Sequence, residues 1–163
     1  MLRRGRWTRQ VREALRSAEE VMPASGDVED LLEAISAARR RDMQLLVAPL
    51  GSAVSGLLVS TDQADYVVVA EGSSPERQCA IVCHEVAHSL LGHNHDESLG
   101  STLTESGLLK GVNPQLARDV VAARHAYAHT RETDAETVAT HISVKLRRRV
   151  MRGGHTYYDE LWQ

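Results

Sequence analysis

Apolar positions near the start of the chain recur at helical spacing. Val11, Ala14, Leu15, Ala18 and Val21 predict an amphipathic helix over residues 8–21. Pro23-Ala-Ser-Gly26 breaks it. Val28, Leu31, Leu32, Ile35 and Ala38 predict a second helix over 27–40, with Asp27 as N-cap and Arg39-Arg40-Arg41 complementing the dipole at its far end. The period then changes. Gln44–Ala48, Gly56–Ser60 and Tyr66–Ala70 are short runs rich in Val and Leu and read as strands. The last two flank a turn at Thr61-Asp-Gln-Ala-Asp65 and are expected to pair antiparallel. Helical spacing returns after Ser74-Pro75, an N-cap followed by a proline in the first helical position, and lasts to Leu91, where Gly92 supplies a stop. Asn113-Pro114 opens a further helix to His129. Arg131–Arg148 reads as a long final helix ended by Gly153-Gly154. These elements predict an α+β fold: a mainly helical single domain over 1–163 with a small sheet of about three strands packed on the helix after Ser74. A basic N-terminal helix falls within 1–25, and 153–163 forms a C-terminal tail.

Composition narrows the picture. Phe is absent, so the core must be aliphatic. A formal net charge of −3 argues against a general nucleic-acid binder. The charge is nonetheless uneven. Arg3, Arg4, Arg6, Arg9, Arg12 and Arg16 crowd the start, and Lys145, Arg147, Arg148, Arg149 and Arg152 crowd the end. Solvated helix faces are the plain reading of such ends; an acidic partner or nucleic acid is the sharper one. The two cysteines, Cys79 and Cys83, lie one turn apart on one predicted helix, which leaves no disulfide framework and points to buried reduced thiols. Met1-Leu-Arg-Arg-Gly-Arg6 leads into no apolar h-region and no run is long enough to span a bilayer. A cytoplasmic protein that does not enter a membrane is expected.

The candidate chemistry sits on the helix after Ser74. His84-Glu85-Val86-Ala87-His88 is an H-E-x-x-H pattern. Four residues turn a helix by about 400°, so His84 and His88 stand one above the other. Two imidazoles so placed can share one tetrahedral Zn²⁺ at roughly 2.0–2.1 Å each. Glu85, offset by about 100°, is placed as a general base beside the metal. With His84 at 0°, Val82, Val86, Cys79, Leu90, Cys83, Ala87, Ala80 and Leu91 fill an arc from about 160° to 340°. The other arc holds His84, Glu85, His88, Gln78, Ser89 and Ile81. The helix is expected to bury its apolar side and offer the two histidines and the glutamate elsewhere.

A catalytic zinc site needs a third protein ligand and an open position. Three groups compete. A metzincin continuation requires Gly and His at what are here Leu91 and Asn94, so His93 or His95 would serve only out of register. His125 and His129 form a second i, i+4 pair without a nearby acid. Glu132-Thr-Asp-Ala-Glu136 opens the final helix, whose apolar stripe is Ala135, Val138, Ala139, Ile142 and Leu146. Glu132 borders that stripe, whereas Asp134 lies opposite; Glu136 is placed one turn on, where it can accept an N–H from a liganding histidine and fix its tautomer. Their plain role is that of acids at a helix start.

With these residues on the page, the chain resembles the ImmA/IrrE family of small metallopeptidases. The resemblance rests on Ile81–His93, on Ser55-Gly56-Leu57 and Asp65-Tyr-Val-Val-Val69, and on Glu132-Thr-Asp-Ala-Glu136-Thr-Val-Ala139, and spans residues 40–145. It implies a gluzincin-like site: His84, His88 and Glu132 on Zn²⁺ and Glu85 as general base, with Glu136, usually a shorter Asp or Asn, behind a ligand or replacing one. It also implies hydrolysis of a peptide bond in a protein substrate, such as a helix-turn-helix repressor or a toxin–antitoxin-type regulator. His155, Tyr157 and Tyr158 are candidate oxyanion stabilisers by residue type alone. The rival reading is a zinc-containing regulatory binding protein that acts through a partner without proteolysis.

Overall fold

The computed structural model describes residues 7–50, 55–60, 64–93 and 129–153. Among them the chain forms α1 (Arg9–Glu20), α2 (Val28–Arg39), β1 (Asp42–Ala48), β2 (Gly56–Ser60), β3 (Ala64–Ala70), α3 (Pro75–Leu90) and α4 (His129–Gly153). The result is an α+β fold with one small mixed sheet. The N-caps follow local chemistry. Thr8 Oγ1 accepts from the Val11 amide at 3.2 Å, Asp27 Oδ1 from the Glu29 amide at 2.6 Å, and Ser74 Oγ from the Arg77 amide at 3.3 Å. Each satisfies an orphan donor of a first turn. Pro75 opens α3, where its missing N–H costs nothing. His129 begins α4 rather than ending the helix expected over 113–129, which otherwise lies outside the described residues.

The strand order is β1-β3-β2. β2 and β3 pair antiparallel, as their flanking turn implied, and β1 joins the other side of β3 in parallel. β1 and β3 each begin two residues earlier than their apolar runs, so Asp65 stands in a strand opposite Met43 and not in a turn. Two ion pairs hold it there. Asp65 is 2 % exposed and receives Arg41 Nε at 2.9 Å and Arg39 Nη1 at 3.2 Å. Arg39 also donates to Ser89 Oγ on α3. Arg39 lies in the last turn of α2, where its charge complements the dipole as expected. Arg40 leaves the helix in the left-handed region (φ 52°), and Arg39 and Arg41 also clamp a buried carboxylate between α2, β3 and α3.

Side chains of the sheet alternate between two apolar clusters. Met43, Leu58, Val67 and Val69 point into the main core with α1, α2, α3 and α4. Leu57, Val59 and Val68 join Leu50 in a second cluster. α3 is sandwiched, with α4 along one side and β2 and β3 along the other. That placement corrects the expected helical arc. Ala80, from the apolar arc, is exposed, while Ile81, Glu85 and Ser89, from the polar arc, are buried. The reason is the second packing surface. Ile81 seats against Gly56, Ser89 meets Arg39, and Glu85 lies between them on the same i, i+4 stripe. The stripe of α4 (Ala135, Val138, Ala139, Ile142, Leu146) is buried throughout. Each buried branched side chain there contributes about 1.5–3 kcal/mol.

Two glycines permit the close approaches. A Cβ on Gly56 would stand 2.1 Å from Ile81 Cγ2, so the bare backbone of β2 lets the sheet reach α3. Gly26 (φ 78°) turns the chain against α4, where a Cβ would lie 2.6 Å from the Leu146 carbonyl oxygen. Glu19 then ties α1 to α4, with Lys145 Nζ at 2.8 Å and His141 Nε2 at 2.7 Å. Those two hydrogen bonds hold the Glu19 carboxyl below its usual range. No described helix is long and apolar enough to cross a membrane.

Gly56→Ala is expected to cost about 2 kcal/mol in urea unfolding, and Gly56→Ala/Ile81→Ala to lose less than the sum of the two single losses, because Ile81→Ala removes the methyl that the new Cβ would strike. Full additivity of the two losses would show that the contact is not the cause. Asp65→Ala should cost about 2 kcal/mol, less than for a fully buried pair because both arginines keep nearly a third of their side-chain exposure.

Candidate metal centre

The site forms where α3 and α4 pack. His84 Nε2 and His88 Nε2 are 3.1 Å apart. Glu132 of α4 closes the figure, with Oε2 at 3.5 Å from His84 Nε2 and Oε1 at 3.5 Å from His88 Nε2. One ligand atom from each of the three lies within 4.8 Å of the others. Two neutral imidazole lone pairs this close repel unless a proton or a cation lies between them. A tetrahedral ion with bonds of about 2.0–2.1 Å holds its ligand atoms about 3.3–3.4 Å apart. The 3.1 Å between the two nitrogens lies close to that edge, while the two 3.5 Å contacts run to different oxygens of Glu132, so that one carboxylate oxygen serving both histidines needs a small rotation of the group. Two nitrogens and a carboxylate are a donor set that Zn²⁺ accepts, and three protein donors leave a fourth tetrahedral position open.

The outward nitrogen of each histidine also has a polar neighbour. Glu136, one turn along α4 from Glu132, places Oε2 3.5 Å from His84 Nδ1. His93 Nδ1 lies 3.0 Å from His88 Nδ1. If Nε2 of His88 donates its lone pair to a metal, its Nδ1 carries the proton, and His93 Nδ1 must accept it. Burial, with Arg131 nearby, lowers the pKa of His93 and favours the neutral ring that can accept. His93 thus stands behind His88, on the side of the ring away from Glu132.

Chain geometry explains this placement. Gly92 (φ 69°) ends α3 in a Schellman turn: the His93 amide donates to the His88 carbonyl at 2.9 Å and the Gly92 amide to the Ser89 carbonyl at 3.1 Å. Such a turn brings the residue after the glycine back onto the helix three residues from its end, which here is His88. The sequence carried that signal in Gly92-His93, though the spacing alone offered His93 only as a ligand out of register. Glu85 is 1 % exposed and sits one residue from His84 on the sheet-facing stripe of α3. Cys79 and Cys83 are free thiols; Cys83 is buried, with Ser143 of α4 among its neighbours, and its pKa is raised by the hydrogen bond with Cys79 and by burial. His95, His125, His155, Tyr157 and Tyr158 lie outside the described residues.

No family model, curated protein or solved structure matches this chain. The site therefore rests on its own geometry.

Glu132→Ala is expected to weaken Zn²⁺ binding most, measured by competition with a chromophoric chelator. Glu136→Ala and His93→Ala should each weaken it by roughly 10- to 100-fold, as partners behind a ligand do. His93→Gln, which retains an acceptor, should restore part of the loss. A larger loss for Glu136→Ala than for Glu132→Ala would exchange their roles.

Proposed function

We propose that this chain is a zinc metalloendopeptidase of the ImmA/IrrE type that hydrolyses a peptide bond in a protein substrate. The observation that carries the reading is the triangle of His84, His88 and Glu132, built from two helices and bordered by the buried Glu85 of the same H-E-x-x-H turn.

His84, His88 and Glu132 would hold the ion, which when bound supplies Lewis acidity that polarises a carbonyl and acidifies water. Glu85 takes a proton from the attacking water and delivers it to the nitrogen of the leaving amine. Water oxygen bonds to the carbonyl carbon, the C–N bond breaks, and a carboxylate and an amine leave. Glu136 and His93 fix the ring orientation and tautomers of His84 and His88. Burial of Glu85 keeps bulk water from competing for its proton. The resemblance extends the proposal to a cytoplasmic enzyme acting on a regulatory protein, such as a helix-turn-helix repressor or a toxin–antitoxin component. The two free thiols accord with a reducing compartment.

Glu85→Gln tests the reading. Zn²⁺ content should be unchanged while cleavage of a denatured protein substrate falls by at least about 100-fold. Loss of zinc would make Glu85 structural. Zinc retained with biological activity intact would favour a regulatory binding protein that acts without proteolysis.

A further inference from the structure

The metal centre opens at Glu132 and Glu136 into a groove along the solvent side of α4, with a volume of about 890 Å³. The groove continues past Thr133, Thr137 and Thr140 to Val144 and ends at Arg148, with Trp7 on its wall. Three features give it a chemical direction. Its near end is acidic. Its middle offers threonine hydroxyls and then two exposed apolar groups, Val144 (42 % exposed) and Trp7 (55 %). Its far end is basic, but Lys145 is already held by Glu19 at 2.8 Å. Arg148 is exposed and, among the described residues, makes no ion pair, so it is the cation left to meet a ligand.

We infer that this groove seats an extended polypeptide segment that carries an apolar side chain near Val144 and an acidic side chain at Arg148. The inference rests on the proposed peptidase reading and adds a substrate class to it. α4 rises about 1.5 Å per residue, which puts Val144 about 18 Å and Arg148 about 24 Å beyond Glu132 along the axis. An extended chain advances about 3.3 Å per residue. The apolar side chain therefore falls about five to six residues, and the acidic one about seven, from the bond at the metal centre. Thr137 Oγ1 donates to the Thr133 carbonyl at 2.9 Å and so offers a peptide N–H its lone pairs. Nucleic acid fits poorly, because its phosphates would meet Glu132 and Glu136 at the near end.

The test uses two readouts on the zinc-loaded full chain. In the first, a degenerate library of twelve-residue peptides, a probe length set at roughly twice the five-to-six-residue span to Val144, is incubated with wild type and with Arg148→Glu, and cleaved bonds are mapped by mass spectrometry. Wild type should enrich Asp and Glu near the seventh residue by about threefold to fivefold, the worth of an exposed ion pair, and Arg148→Glu should shift the preference to Lys and Arg. In the second, the same library is selected by affinity on immobilised Glu85→Gln and on Glu85→Gln/Arg148→Glu. Acidic peptides should be enriched on the first and not on the second, whether or not any bond is cut. Arg148 lies outside the core, so zinc content and melting temperature should not move. Identical selections on the two proteins overturn the groove assignment. Absence of cleavage with the charge-dependent selection intact overturns the peptidase reading alone and leaves the groove as a peptide-binding site.

Discussion

The packing of α3 against α4 is the contact on which the rest depends. Two histidines on one helix hold a pair of nitrogens but not a centre. The third donor comes from a helix far along the chain. It reaches the histidines only because Ala135, Val138, Ala139, Ile142 and Leu146 of α4 are buried in the core shared with Val82, Cys83, Val86 and Ala87 of α3. Small residues on both helices bring the axes close, and Glu132 leaves α4 at the edge of that contact. Burial of apolar area supplies the free energy; the polar site at its margin uses the position so obtained.

The opposite side of α3 is held as firmly. Gly56 brings β2 against Ile81, and the Arg39–Asp65–Arg41 cluster anchors the last turn through Ser89. Ser89 follows His88 directly, and Gly92 then folds His93 back onto the His88 ring. The orientation of one candidate ligand is thus determined from both directions, by a charge cluster that fixes the helix and by a turn that fixes the imidazole. At His84 the neighbour is Glu136 of α4, 3.5 Å from Nδ1 and with most of its side chain in solvent. The His88 ring is the one with few free rotations left to lose, which is the physical content of preorganisation.

The same arrangement divides the outer surface of α4. Its first two turns carry acids toward the histidines, its middle carries threonines and an exposed valine, and its end carries cations. The helix that carries Glu132 thus also presents a graded surface leading away from the two histidines.

Much of this was legible in the sequence. Period 3.6 gave α1, α2 and the stripe of α4, short branched runs gave the strands, and Ser74-Pro75 and Gly92 marked the ends of α3. The i, i+4 spacing of His84 and His88 followed from helical geometry alone, and so did the placing of Glu132 beside an apolar stripe. Local chemistry suffices for such features, since backbone hydrogen bonds and side-chain periodicity act over a few residues. Tertiary structure decided the rest. The parallel pairing of β1 with β3, the burial of Ile81, Glu85 and Ser89, the capture of Asp65 by two arginines and the seat of His93 behind His88 all require segments distant in sequence to meet. A single helical arc cannot reveal that a helix is packed on two sides, because the second surface belongs to other parts of the chain.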